Sequence, residues 1–290
     1  MLDGRSTPDY PGTMVKVHFL NVGKGNCTIL EVQSGVGMLD IDNSRVDGDD
    51  SLTDPLVYLK GMLPSGSLFR FILSHPDMDH MSGLRLLSKQ VPIANFWDTA
   101  NTKTFDDSDW AASPYDKRDW ETYQRLRVST ENPKSLRLLS GATSECCWVQ
   151  DGITVLAPTD KLVQQANETE EYNHLSYVLR LDHGGTRVLL GGDATPEAWD
   201  EIARVRGSGS LKADVFLAPH HGSPNNVNKD VFKLVSPSYI IVSVAEGVDY
   251  DYDYYNGLAG KSVMSTKAYG NMRLHIEDNG SYTIYYEHEP

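Results

Sequence analysis

The chain has 290 residues, 40% of them hydrophobic and 23% charged, with a formal net charge of −14. No apolar run approaches the roughly 18 residues of a spanning helix, the opening MLDGRSTPDYPGT lacks the charged-then-apolar order of a signal sequence, and three cysteines with two adjacent make neither a disulfide framework nor a cysteine zinc site. The expectation is a cytoplasmic protein with no membrane partner; its acidity opposes a broad nucleic-acid-coating surface without excluding a phosphodiester substrate, because bound cations would offset clustered carboxylates.

Residues 1–13 read as a flexible lead, and 1–290 as a single domain with an inserted segment at about 100–145. In MVKVHFLNVGKGNCTILEVQ (14–33) two β-rich runs flank the turn-forming VGKGN, with Val15, Val17 and Phe19 alternating against polar residues. GVGMLDIDNS predicts another short strand, and SLTDPLVYLKGML a helix with Pro55 in its first turn.

LFRFILS (68–74) predicts a buried strand, followed by the helix-like GLRLLSKQ and, inside the insert, by a helix over 113–129. LSYVLRL and TRVLLGG predict a hairpin around DHGG. PEAWDEIARV predicts a helix with Thr195 as N-cap and Pro196 at its first position. The last third runs ADVFLAPHHGS, helix-like KDVFKLV, strand-like YIIVSV and a closing SYTIYYE. This alternation indicates an α/β (α+β) sandwich with sites at strand ends.

The chemistry gathers where the strand 68–74 stops. SHPDMDHMSGL sets His75, Asp77, Asp79 and His80 on one turn, a spacing that lets alternating side chains converge. A single such residue would be a solvated loop polar; four within six positions indicate metal ligands, and mixed imidazole and carboxylate suit zinc, manganese or iron rather than calcium. Asp193 in VLLGGDATPE and His220 and His221 in VFLAPHHGS stand at comparable strand exits. His18, His183, His275 and His288 read as background, Ser74 and Ser223 as turn and cap residues, and Cys146, Cys147 and Trp148 as core.

In order and context VKVHFLNVGKGN, MLDIDNS, SHPDMDHMSGL, NHLSYVLRLDHGGTRVLLGGDA and PHHGS resemble the metallo-β-lactamase fold superfamily. Within it the chain is most similar to the hydrolase domain of ComEC-type DNA-uptake competence proteins and their free-standing relatives, over roughly residues 14–286 outside the insert. The resemblance implies a four-layer αββα sandwich with two divalent metal ions, Zn²⁺ or Mn²⁺, at one edge of its two sheets.

Carried over by position, it implies that His75 and Asp77 bind one ion, that Asp79 and His80 bind the other, that Asp193 bridges them and that His220 completes the second site. His221 would sit beside the substrate, Asp79 would orient the nucleophile, and Asp40 would buttress the turn. Asp77 stands where many superfamily members have His, and its harder oxygen makes Mn²⁺ a rival to Zn²⁺. For the third ligand of the first ion the choice is His174, with Asn173 the alternative.

The implied function is a metal-dependent hydrolase, a phosphodiesterase or nuclease acting on nucleic acid or nucleotide through a hydroxide activated between the two ions. The alternatives are a phosphorylcholine-type esterase or lactonase on the same fold, or a metal-binding scaffold or sensor with little turnover. In the insert, Trp110, Trp120, Tyr115 and Tyr123 stand among Lys117, Arg118, Arg125, Arg127, Lys134 and Arg137. Such a set either stacks bases and holds phosphates or forms a solvated helix covering the sandwich. The acidic, aromatic AEGVDYDYDYYNG (245–257) is expected to wall the cleft as a loop.

Overall fold

The computed structural model describes residues 14–43, 51–63, 66–143, 149–245 and 248–289. The expected lead 1–13 and the Cys146, Cys147 and Trp148 trio lie outside the described residues.

Two sheets stack face to face. The first orders eight strands as β14-β13-β1-β2-β3-β4-β5-β6: β1 Val15–Phe19, β2 Thr28–Val32, β3 Gly35–Leu39, β4 Leu68–Ile72, β5 Ile93–Asp98, β6 Lys134–Arg137, β13 Met272–Ile276 and β14 Tyr282–Tyr286. The second orders six as β12-β11-β10-β9-β8-β7: β7 Ile153–Ala157, β8 Val178–His183, β9 Thr186–Leu190, β10 Val215–Leu217, β11 Tyr239–Val242 and β12 Ser262–Ser265.

Period-two alternation decides which side chains fill the space between them. Val15, Val17 and Phe19 of β1 meet Leu179 and Leu181 of β8, Val188 and Leu190 of β9 and Ile241 of β11 in one buried cluster. His18, on the opposite face of β1, turns outward to the Tyr58 hydroxyl at 2.9 Å. Each fully buried aliphatic side chain contributes about 1.5–3 kcal/mol of transfer free energy, so this inter-sheet layer is the main spacer of the molecule.

Helices cover both outer faces, completing the four αββα layers. On the first sheet lie α1 (Pro55–Lys60), α2 (Leu84–Gln90), α3 (Asp107–Ala112) and α4 (Lys117–Leu126), with Leu56, Leu59, Leu84, Leu87, Trp120 and Tyr123 buried against it. On the second lie α5 (Asp160–Thr169), α6 (Pro196–Arg206), α7 (Lys229–Val235) and α8 (Tyr252–Leu258), anchored by Leu162, Trp199, Phe232 and Tyr255. A last short helix, α9 (Thr266–Tyr269), follows β12. The helix starts lie where capping chemistry sets them: the Asp54 carboxylate accepts from Leu56 and Val57 ahead of Pro55, and the Thr195 hydroxyl accepts from Ala198 ahead of Pro196. Among the described residues no helix is long and apolar enough to cross a membrane.

The insert is built into the body of the protein. The single helix expected over 113–129 is the shorter α4, preceded by α3, and β6 adds a parallel edge strand beside β5. Trp120 and Tyr123 are buried, and Phe105 packs edge-on against Trp110 and Trp120 with centroids 5.0 and 4.7 Å apart. Several of the cations are matched with acids: Arg127 Nε donates to Asp98 Oδ2 at 3.0 Å, Arg118 pairs with Asp116 at 2.7 Å and Lys117 with Asp107 at 2.8 Å. Of the two readings of this segment, the covering helix accounts for these contacts. Part of the expected loop 245–257 is also helical, as α8.

Candidate metal centre

Parallel pairing explains why distant residues meet. β3 and β4 run parallel, as do β9 and β10, so the carboxyl ends of each pair open on the same edge. Asp40 leaves β3 and His75 leaves β4; Asp193 leaves β9 through Gly191 and Gly192, and His220 and His221 leave β10. A hydrogen bond from Tyr177 N to Ser74 O at 2.9 Å and another from His220 N to Gly192 O at 3.0 Å lock these exits together.

Close backbone approach is built in by glycine. At Gly192 (φ +50°) a Cβ would lie 2.9 Å from Tyr177 O, and at Gly25 it would lie 2.0 Å from Asp79 O. Asp40, His220 and His221 hold φ of 59°, 48° and 55°, a left-handed conformation that costs a residue with a side chain about 1–3 kcal/mol. Such strain is retained only where the surroundings over-determine it.

The hydrogen bonds fix what each imidazole presents. The Ser74 hydroxyl donates to Asp40 Oδ2 at 2.7 Å, so towards His75 Nδ1, 3.0 Å away, it acts as acceptor. His80 Nδ1 donates to Asp40 Oδ2 at 2.8 Å, and His221 Nδ1 donates to the Ser243 carbonyl at 3.1 Å. In the neutral form of each ring these partners place the proton on Nδ1, so Nε2 is the nitrogen left to offer a lone pair.

Those lone pairs converge. Suitable atoms of His75, His80 and Asp193 lie within 4.8 Å of one another, and so do those of Asp79, His80 and His221. Asp193 Oδ2 stands 3.4 Å from His80 Nε2 and 3.8 Å from both His220 Nε2 and His221 Nε2. Yet His75 Nε2, His80 Nε2, His221 Nε2 and Asp193 Oδ1 are buried without a hydrogen-bond partner. The 3.4 Å approach of His80 Nε2 to Asp193 Oδ2 is a contact without hydrogen-bond geometry. Unpartnered buried polar atoms cost about 1–3 kcal/mol each, and four distributed over two donor groups that share His80 fit divalent cations.

Electrostatics point the same way. Burial pushes the His80 imidazole down, but Asp193 and Asp40 outweigh it and hold its pKa well above the ordinary value. Burial pushes Asp193 up, and His80 and His221 outweigh it and hold the carboxyl well below the usual range. Burial dominates at His221, whose pKa is lowered. The buried centre calls for positive charge beside a carboxylate, which a metal supplies without a proton.

The remaining expected residues separate. Asp77 contacts His75 Nε2 at 3.5 Å through Oδ2, and its Oδ1 is held by the Lys103 ammonium. His174 joins neither group: its Nδ1 is 2.7 Å from Thr195 Oγ1 and its Nε2 3.2 Å from Gln165 Nε2, so both nitrogens are engaged. His221, expected beside the substrate, gathers with Asp79 and His80, whereas the His220 side chain is 34% exposed.

Sequence reasoning missed Lys103, the Ser243 carbonyl and the part played by Ser74, whose Oγ lies within 3.2 Å of Asp40, His75 and His80. Only Ser74 had a signal, its place next to His75. Tyr115 of the insert also senses the centre: burial, then the Asp79 and Asp42 carboxylates, push its phenol up to about 12. Of the 245–257 segment, residues 248–257 reach the same edge, with Asp251 N donating to Gly222 O at 3.2 Å.

No protein-family model matches the sequence. Recombination protein 2 of Haemophilus influenzae is 26% identical over 244 residues, 83% of this chain and 26% of its own length. ComE operon protein 3 of Bacillus subtilis is 23% identical over 238 residues, 80% of this chain and 27% of its own length. The chain thus spans about a quarter of the length of the curated relatives it matches. Among solved structures, the metallo-β-lactamase fold protein YhfI of Bacillus subtilis aligns with a TM-score of 0.53 at 12% identity, over 94% of this chain and 100% of that one.

Proposed function

The chain has the metallo-β-lactamase fold, and on that frame we propose that it is a metal-dependent hydrolase of phosphodiesters, a phosphodiesterase or nuclease. The observation that carries this reading is the pair of donor groups that share His80, one of His75, His80 and Asp193 and one of Asp79, His80 and His221, with the Nε2 of all three rings buried and unpartnered. The donor set suits two divalent ions, Zn²⁺ or Mn²⁺.

His75, Asp77 and Asp193 would hold one ion; Asp79, His80, His221 and Asp193 would hold the other. The geometry favours His221 over His220 in the second set, and the engagement of both His174 nitrogens speaks against that ring in the first. When bound, such ions raise the acidity of water towards neutral pH and offset charge that builds on ester oxygens. The protein's own part is positional. Asp40 and Ser74 fix His75 and His80, the Ser243 carbonyl fixes His221, and Asp79, partly exposed, would orient the attacking water.

The similarity to ComE operon protein 3 and Recombination protein 2 supports a role connected with nucleic acid, over the matched quarter of those chains. The test is elemental analysis of the purified protein, followed by a Mn²⁺- and Zn²⁺-supplemented screen. The substrates are bis-p-nitrophenyl phosphate, single- and double-stranded DNA, RNA, cyclic nucleotides and a lactone. Diester cleavage lost in Asp79→Ala supports the reading; turnover confined to the lactone defeats it.

A further inference from the structure

One cation reaches the ligand cluster. Among the described residues, Lys103 is the single Lys or Arg ion-paired with a residue of that cluster, through Asp77 Oδ1. Its ammonium is also boxed by aromatic faces, 5.1 Å from the Phe105 ring and 5.4 Å from the Tyr172 ring. Its side chain keeps 17% exposure.

The segment that carries it is stiff. Lys103 N donates to Asn101 Oδ1 at 3.2 Å, and the Asn101 amide donates to the Tyr123 hydroxyl at 2.7 Å. Arg127 Nη2 donates to the Asn101 carbonyl at 2.8 Å, and the Asn167 side chain accepts from Thr102 N at 2.9 Å. A long, flexible side chain normally loses much rotamer freedom when it binds a ligand; here the aromatic box and Asp77 have already fixed it.

An ammonium has three N–H donors and no acceptor. One is spent on Asp77 Oδ1, whose partner oxygen faces His75, so the ammonium stands one carboxylate away from the metal-binding donors. The remaining donors, on a side chain that keeps 17% exposure, suit an anionic oxygen.

We propose that Lys103 is the anion-recognition residue of the centre, donating to a phosphate oxygen of the substrate from the Asp77 side and selecting a phosphodiester over a neutral lactone or ester. This rests on the phosphodiesterase reading above and names the group that gives it its substrate charge preference.

The test compares wild type, Lys103→Met and Lys103→Arg as full chains. Four quantities are read: metal content per chain, inorganic phosphate binding to the metal-loaded protein by calorimetry, and kcat and KM on bis-p-nitrophenyl phosphate. A charge-assisted hydrogen bond corresponds to about ten- to a hundredfold in affinity. Lys103→Met is expected to weaken phosphate binding and raise KM by at least about tenfold, with kcat and metal content close to wild type; Lys103→Arg is expected to recover most of the loss.

Phosphate affinity within about twofold of wild type in Lys103→Met, while wild type cleaves the diester, overturns the role of Lys103 and leaves the hydrolase reading standing. Loss of metal from Lys103→Met overturns it in another way, by showing that the lysine acts on Asp77 alone. A metal-loaded wild type that neither binds phosphate nor cleaves the diester defeats the functional reading and this proposal with it.

Discussion

Asp40 and His80 are joined by a 2.8 Å hydrogen bond in which the imidazole Nδ1 donates and the carboxylate accepts, while the opposite ring nitrogen faces Asp193 at 3.4 Å. Asp40 adopts φ 59° to do this and also accepts from Ser74 N and Ser74 Oγ, both at 2.7 Å. One strained, buried carboxylate thereby sets the tautomer and aim of a histidine 40 positions away.

Replacing that carboxylate with an amide keeps the volume and loses the charge. Asp40→Asn is expected to weaken metal retention by about 10- to 100-fold, the usual cost of losing a partner that orients a ligand. Competition with a graded chelator measures it, and unchanged retention would show that His80 needs no help from Asp40.

Because the orphaned atoms fit a cation, metal is expected to stabilise the folded chain by mass action, by about 2.7 kcal/mol at a hundredfold excess over the dissociation constant. The unfolding midpoint should rise with added Zn²⁺ or Mn²⁺ in wild type and stay flat in Asp193→Asn. A rise in the variant equal to that of wild type would place the ions elsewhere.

Gly25 stands where any side chain would meet Asp79 O at 2.0 Å and Asp42 Cβ at 2.4 Å. A backbone oxygen cannot rotate away, so Gly25→Ala is expected to cost about 1–3 kcal/mol of stability. It should also disturb the Asp79 turn. Denaturant midpoints check the first effect and metal content the second; a fully stable, fully loaded variant would contradict the packing described above.

Two cations of the insert give a matched comparison. Arg127 and Asp98 form a buried pair, with side chains 7% and 0% exposed, whereas Lys117 and Asp107 pair at the surface. Arg127→Met leaves the buried Asp98 carboxylate to the Tyr123 hydroxyl at 2.7 Å and the half-exposed Arg137 at 3.5 Å and is expected to destabilise by about 3 kcal/mol, whereas Lys117→Met is expected to leave stability close to wild type. Similar losses in the two variants would mean that Asp98 finds water or another partner.

A pH effect follows from Glu31. Its hydrogen bond from His18 at 2.9 Å, and Lys16 at 3.2 Å, outweigh burial and lower its carboxyl below the ordinary 4.5. An acid whose folded pKa is depressed contributes stability fully present above the unfolded value and lost as pH falls through the folded one. Wild type should therefore lose stability relative to Glu31→Gln as pH drops below about 4.5. Parallel pH curves for the two proteins would show that the pair contributes nothing.

Much of the scaffold is legible in local pattern. Alternation placed Val15, Val17 and Phe19 in the inter-sheet layer, Thr195 and Pro196 marked the start of α6, and short apolar runs ending in His or Asp marked the strand exits. The proposed ligand types stood in the sequence because chemistry restricts them to a few residues. What stayed hidden depends on contacts between loops. The pairing of Lys103 with Asp77 spans 26 positions and leaves no periodic trace, the Ser243 partner of His221 is a carbonyl that every residue possesses, and the insert's cations look free until Asp98, Asp107 and Asp116 are seen beside them. His174 carries a ligand's side chain, but the N-cap hydroxyl of α6 and Gln165 take both of its nitrogens.

Ser74 gives the arrangement its tolerance. Its amide and hydroxyl are tied to Asp40 of the first sheet and its carbonyl to Tyr177 of the second. The clearance across the sandwich at this edge is therefore gauged in part at this residue, next to His75. Strands added at the far margins, as β6 is, or changes in the length of peripheral loops alter the outline of the molecule without resetting that gauge, so the centre can keep its dimensions while the surroundings that choose a substrate are rebuilt.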